Sequence, residues 1–333
     1  MRQIVLLLLV AAGLLLAACS DAAGPETFME PAPTTLSSLA VLPTLVPSVT
    51  PTSPPTSTPR PSATPTPSNT PPPSPTPPPT PTPVLLNGLP LDQVLVLPSG
   101  VRQHVAQIAE RGRALGRDGY AFGRVGGSVA ATQHLMGRFD TGPYVLGPYA
   151  SLQPTVDYYA GSFSRVGQAA KRGLTAQATL DPNWADPAFC QPNEAPVDCE
   201  IRLHNPSILL VVLGTNDIGS GQQFEDDMRV LLAHLEDQGI VPILVTKADR
   251  FEGADNRNNG IIRALAAELQ LPLLDFDLIA GTIPGRGMGD DNVHLTLYDQ
   301  YDYTDPRAFQ RGYGVFNLAA LMMLDAVRQE MTP

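Results

Sequence analysis

Four short blocks of the 333-residue chain hold side chains suited to acyl transfer. Gly126-Gly127-Ser128 places a hydroxyl behind two glycines. A glycine follows in the segment around residues 167–173. Gly214-Thr215-Asn216-Asp217 presents an amide, and Asp291-Asn292-Val293-His294 spaces an imidazole three residues after a carboxylate. Acyl transfer by serine needs a nucleophile, a base, an orienter for the base and donors for the oxyanion. An Asn offers a neutral NH₂ that can point at a ligand oxygen. Plainer roles exist for each: Ser128 could N-cap a following helix, Asn216 and Asp217 could form a turn, and His294 could sit in a surface loop.

The elements that must position these blocks alternate. Residues 208–213 are an unbroken apolar run, the mark of a parallel strand buried on both faces, and it ends abruptly in Gly214. Open α/β sheets gather their chemistry at such strand ends. An apolar entry spans 91–97, and 101–115 has amphipathic helical spacing. Strands are expected at 120–125, 155–159, 206–213, 240–246 and 271–278. Helices are expected at 129–136, 224–238, 256–269 and 309–328. Strands alternating with helices imply a mostly parallel sheet sandwiched between helices. Competing sites are poorly supported. Ala130 stands where a Gly-x-Ser-x-Gly elbow needs glycine, and Gly123, Gly126 and Gly127 do not make a dinucleotide fingerprint.

Taken in order, the blocks resemble those of the SGNH hydrolases, also called GDSL-type hydrolases, over most of residues 118–330. Gly-x-Asn-Asp is matched at 214–217 and Asp-x-x-His at 291–294. The resemblance implies an α/β fold, a three-layer α/β/α sandwich on a mostly parallel five-stranded sheet, flavodoxin-like in arrangement. It implies Ser128 as nucleophile, His294 as base and Asp291 as its orienter. The N–H of Ser128, the N–H of the second-block glycine and the side chain of Asn216 would hold the oxyanion. Gly173 matches that second block, with Gly167 as the alternative. The first block departs from the family: Gly127 stands where Gly-Asp-Ser has its Asp. The implied activity is carboxylic ester hydrolysis without a cofactor or metal. A fold that binds a glycan or lipid without turnover, or transfers the acyl group to a sugar, is the alternative.

Outside this region the composition shifts. Arg2, the apolar run 4–16 and Leu16-Ala17-Ala18-Cys19 read as a signal segment over 1–18 that closes in a bacterial lipobox, with Cys19 acylated. Residues 19–83 are a linker rich in Pro, Thr and Ser, unable to bury a core and inclined to extended polyproline II. Residues 84–333 make one α/β domain. The expected setting is outside the cytoplasm, on the membrane through Cys19, with an ester substrate and a monomeric chain. A net charge of -11 argues against nucleic acid as partner. Cys190 and Cys199 lie in one polar loop, and an exported chain would oxidise them to a disulfide.

Overall fold

The apolar run from Pro206 folds as an interior strand because covering both faces removes all but its last side chain, Val212, from water. The computed structural model describes residues 84–332. The expected signal segment and linker, with Cys19, lie outside the described residues. Five strands form one sheet: β1 (Leu95–Val96), β2 (Asp118–Gly126), β3 (Pro206–Val212), β4 (Val241–Val245) and β5 (Leu273–Leu274). Their spatial order is β1-β5-β4-β3-β2. Four strands are parallel; β1 pairs antiparallel with β5. The longer helices are α1 (Ser99–Ala114), α2 (Gln153–Tyr158), α3 (Pro196–His204), α4 (Gly221–Asp237), α5 (Arg257–Glu268) and α6 (Gly312–Met331).

Because β2 to β5 follow one another across the sheet, right-handed crossovers place α3, α4 and α5 on one face. α1 and α6 pack together to cover the other. The fold is therefore the three-layer α/β/α sandwich expected. Its core runs through β3 and β4, where Ile208, Leu209, Val241 and Ile243 are wholly buried. α6 is apolar nearly all round, and Phe316 stacks on Phe276 at 4.5 Å. The register Gly126↔Val212, Leu210↔Ile243 and Val245↔Leu274 brings the carboxyl ends of β2 to β5 to one rim.

Three expectations are corrected. Residues 155–159 are not a strand. They continue α2, which Pro154 opens at its first turn, a position where a missing N–H costs nothing. Strand number five is supplied instead by Leu95–Val96, inside the apolar entry. The flank of β2 that the absent strand would occupy carries one parallel bridge, Gly126↔Ala170, with the Gly126 N–H donating to Ala169 O at 3.0 Å. Second, no helix spans 129–136. One turn closes through the N–H groups of Ala130 and Ala131 on Gly127 O, then the chain winds irregularly to Met136 at φ +61°. Third, the strand expected over 271–278 is only Leu273–Leu274, because Phe276–Ala280 coils into a short helix. Cys190 and Cys199 are joined in a disulfide, with Cα atoms 5.3 Å apart.

Candidate active site

Ser128 emerges where β2 ends against β3. A Cβ on Gly126 would lie 2.2 Å from Val212 O, so only glycine lets the two strand ends approach this closely. Two residues on, Ser128 Oγ lies 2.8 Å from His294 Nε2. His294 Nδ1 lies 2.6 Å from Asp291 Oδ2. A carboxylate on Nδ1 selects the tautomer protonated there, leaving the Nε2 lone pair for the serine O–H. Asp291 also accepts the N–H groups of Val293 at 3.0 Å and His294 at 2.9 Å, so the loop that carries the imidazole is folded around the carboxylate that orients it. The hydrogen bond from the His294 ring and the two backbone N–H groups hold the Asp291 carboxyl well below its ordinary range. It stays ionised, and its exposure to solvent favours that form too. No helix follows Ser128, so its hydroxyl serves the imidazole rather than a cap.

Asn216 completes the rim. Its Nδ2 donates to Leu174 O at 3.1 Å. That bond uses one amide hydrogen and fixes the plane of the other. A shallow depression lined by Gly127, Ser128, Leu174, Gly214 and Asn216 lies between them. Gly127 matters to this placement: a Cβ there would meet Asn216 Nδ2 at 2.6 Å. The amide of Asn216 presses against the position where the GDSL pattern carries its Asp side chain. Gly173 adopts φ +79°, and the next residue, Leu174, reaches the depression. Gly167 instead abuts Glu200, whose carboxylate would be 2.2 Å from an added Cβ.

Asp217 does more than end a turn. One carboxylate oxygen accepts the Ala176 N–H at 2.8 Å and the other the Gly214 N–H at 3.0 Å. It thus pins the segment after Gly173 to the end of β3. Burial pushes its carboxyl above the ordinary value, partly offset by those two N–H donors. Asn258 adds bonds to Gly214 O at 2.8 Å and Asp217 O at 2.9 Å. No local pattern points to Asn258, an amide on a helix otherwise read from its apolar spacing.

Two further spaces share lining residues with the depression beside Asn216. One is apolar, lined by Val129, Phe276, Val293, Leu295 and Phe316, with Thr215 and Lys247 at its edge. The other is a cleft of about 140 Å³ lined by Thr175, Gln177, Asn216, Gln223 and Asp227. Lys247 and Asp249, which follow β4, are buried, not solvated: they pair at 2.9 Å, and Thr215 donates to Asp249 at 2.8 Å. Arg250 pairs with Asp277 at 2.6 Å. His104, His134 and His234 bond Glu236, Asp299 and Asp198, and His204 Nε2 lies 3.0 Å from Phe122 O.

No family model and no curated protein matches the chain. Among solved structures, it is similar to one titled Crystal Structure of TesA: 20% identity, TM-score 0.40, over 62% of this chain and 99% of that one. It is also similar to the psychrotrophic esterase EstA from Pseudoalteromonas sp., inhibited by monoethylphosphonate: 14% identity, TM-score 0.40, over 62% of this chain and 97% of that one. At these TM-scores neither likeness carries weight for function, which has to rest on the geometry of the side chains.

Proposed function

We propose that this chain is a serine esterase of the SGNH hydrolase type, working outside the cytoplasm and held to the membrane by a lipid on Cys19. One observation supports it above the rest: Ser128, His294 and Asp291, drawn from two distant loops, form a continuous hydrogen-bonded chain at 2.8 and 2.6 Å. Ser128 Oγ attacks the ester carbonyl carbon while His294 Nε2 takes its proton. The carbonyl oxygen becomes an oxyanion in the depression beside Asn216, met by that amide and by the backbone N–H groups of Ser128 and Gly173. The intermediate collapses, His294 returns the proton to the leaving alcohol, and an acyl group remains on Ser128. Water, deprotonated by the same imidazole, then releases the acid. The ionised Asp291 holds the tautomer and stabilises the imidazolium that forms twice per cycle.

The cleft beside Asn216 offers Thr175, Gln177 and Gln223 to a hydroxyl-bearing alcohol, and the apolar space is small. Short acyl esters of glycans fit this better than long-chain lipid esters, and a sugar replacing water would make the same residues an acyltransferase. Purified protein should hydrolyse p-nitrophenyl acetate, and Ser128→Ala should abolish the activity. Equal hydrolysis by both would refute it. Gly127 motivates the other reading, a glycan- or lipid-binding protein without turnover, which that same result would favour.

A further inference from the structure

Arg124 lies inside β2, four residues before Ser128, and it is completely buried. A buried cation is costly unless its donors are satisfied. No carboxylate lies within ion-pair distance of it among the described residues. Its terminal nitrogens bond backbone carbonyls instead, and its Nε is buried with no partner. Nη1 donates to Thr132 O at 2.9 Å and to Ala130 O at 3.4 Å. Nη2 donates to Phe163 O. Burial lowers its pKa to about 10, with Tyr301, Tyr313 and Asp140 opposing, so it remains a cation at neutral pH.

The two carbonyls belong to the irregular turn that follows Ser128. In a helix they would be taken by N–H groups further along. Here the helix is absent: Thr132 O keeps a single long bond from the Leu135 N–H at 3.3 Å, and Ala130 O receives no backbone N–H. Without the guanidinium, Ala130 O would be buried with no donor and Thr132 O would hold only that long bond. We propose that Arg124 is a positioning residue for the nucleophile: its guanidinium replaces the missing helix, ties the 130–132 turn to β2, and so fixes Ser128 Oγ on His294 Nε2. It touches no substrate. The same turn is held from its far end, where Tyr301 OH donates to His134 O at 2.7 Å and Asn317 bonds His134 O and Met136 N, both at 2.9 Å. Arg124 is the clamp on the serine side.

This inference rests on the proposed esterase chemistry, and its test separates the two. Arg124→Met and Arg124→Lys are compared with Phe122→Leu, which loosens the same strand face without touching the turn. Steady-state hydrolysis of p-nitrophenyl acetate and the second-order rate of fluorophosphonate labelling are measured on the full folded domain, with melting temperature alongside. Arg124→Met is expected to lower kcat at least about 100-fold with KM nearly unchanged, since misplacing a reacting group by about 1 Å costs that much. Labelling should slow in parallel, Arg124→Lys should fall between, and Phe122→Leu should keep kcat at an equal loss of stability. If Arg124→Met does not fold, Arg124→Lys makes the same comparison. Folded variants with kcat within about threefold of the parent, or a Phe122→Leu loss as large as theirs, overturn the inference. Should the parent itself not turn over, amide hydrogen exchange over residues 128–137 decides the clamp. Faster exchange in the Arg124 variants alone supports it, and equal exchange overturns it.

Discussion

Replacing Gly127 with alanine adds one methyl group, and the structure says where it goes. The new Cβ would stand 2.6 Å from Asn216 Nδ2, where ordinary contact begins near 3.4 Å, so the amide must retreat by about 0.8 Å. Asn216 holds its place by one bond, to Leu174 O at 3.1 Å, which that retreat breaks. If Asn216 holds the oxyanion, displacement of that size removes a donor, worth about 10²–10³ in rate or about 2.7–4 kcal/mol. Gly127 is not among the positive-φ glycines, so alanine fits the backbone. Stability should therefore change by less than about 1 kcal/mol, or about 2–4 °C in Tm. The assay is p-nitrophenyl acetate hydrolysis by Gly127→Ala, Asn216→Ala and the double variant. Both single variants should lose kcat by about two to three orders with KM little changed. The double variant should be no worse than Asn216→Ala, because both changes remove one interaction. A Gly127→Ala enzyme with parental kcat, or losses that simply multiply, would refute the reasoning.

Three further outcomes follow from the same geometry. Asp291 is held below the ordinary carboxylate range by its three donors, so its ionised form persists as pH falls and is lost only beneath that range. The acid limb of kcat/KM should then carry no step from this carboxylate at ordinary carboxylate values, and a step between about pH 4 and pH 5 that vanishes in Asp291→Asn would contradict this. Asp217→Ala orphans the N–H groups of Gly214 and Ala176 and should cost roughly 1–3 kcal/mol for each, read by urea unfolding. For Asp277, burial raises the carboxyl, but bonds from Arg263, Arg250 and Asn256 outweigh it and hold the pKa at about 2, against an ordinary 3.8. Its contribution is complete above the ordinary value and fades as pH falls towards about 2. Asp277→Asn should therefore lower Tm at pH 7, and the gap to the parent should narrow in strong acid.

How far the site could be read from the chain depends on what each residue answers to. Asn216 and His294 stand directly after patterns set by local spacing, an apolar run ending in glycine and an Asp three residues ahead; His294 bonds Ser128, and Asn216 lines the same depression. The two strand and helix errors have another origin. Val156, Tyr158 and Tyr159 have strand propensity, but Pro154 and packing of Val156 and Tyr159 into the core decide for helix. Val129 to Met136 has good helix formers, yet its carbonyls are claimed by Arg124 on the preceding strand and by Tyr301 and Asn317, far along the chain. The warning was present: an arginine in the midst of a strand buried at Phe122 and Val125 must be paired with something. What it pairs with is a tertiary fact. Gly127 likewise reads as a loss against the family pattern until the Asn216 amide is seen pressing on it.

Covalent labelling tests the central claim most directly. The protein is treated with a fluorophosphonate, digested and mapped by mass spectrometry. The account predicts one phosphonylated residue, Ser128, with labelling lost in Ser128→Ala and strongly slowed in His294→Ala. A label on any other residue, or labelling that persists unchanged in Ser128→Ala, would contradict it.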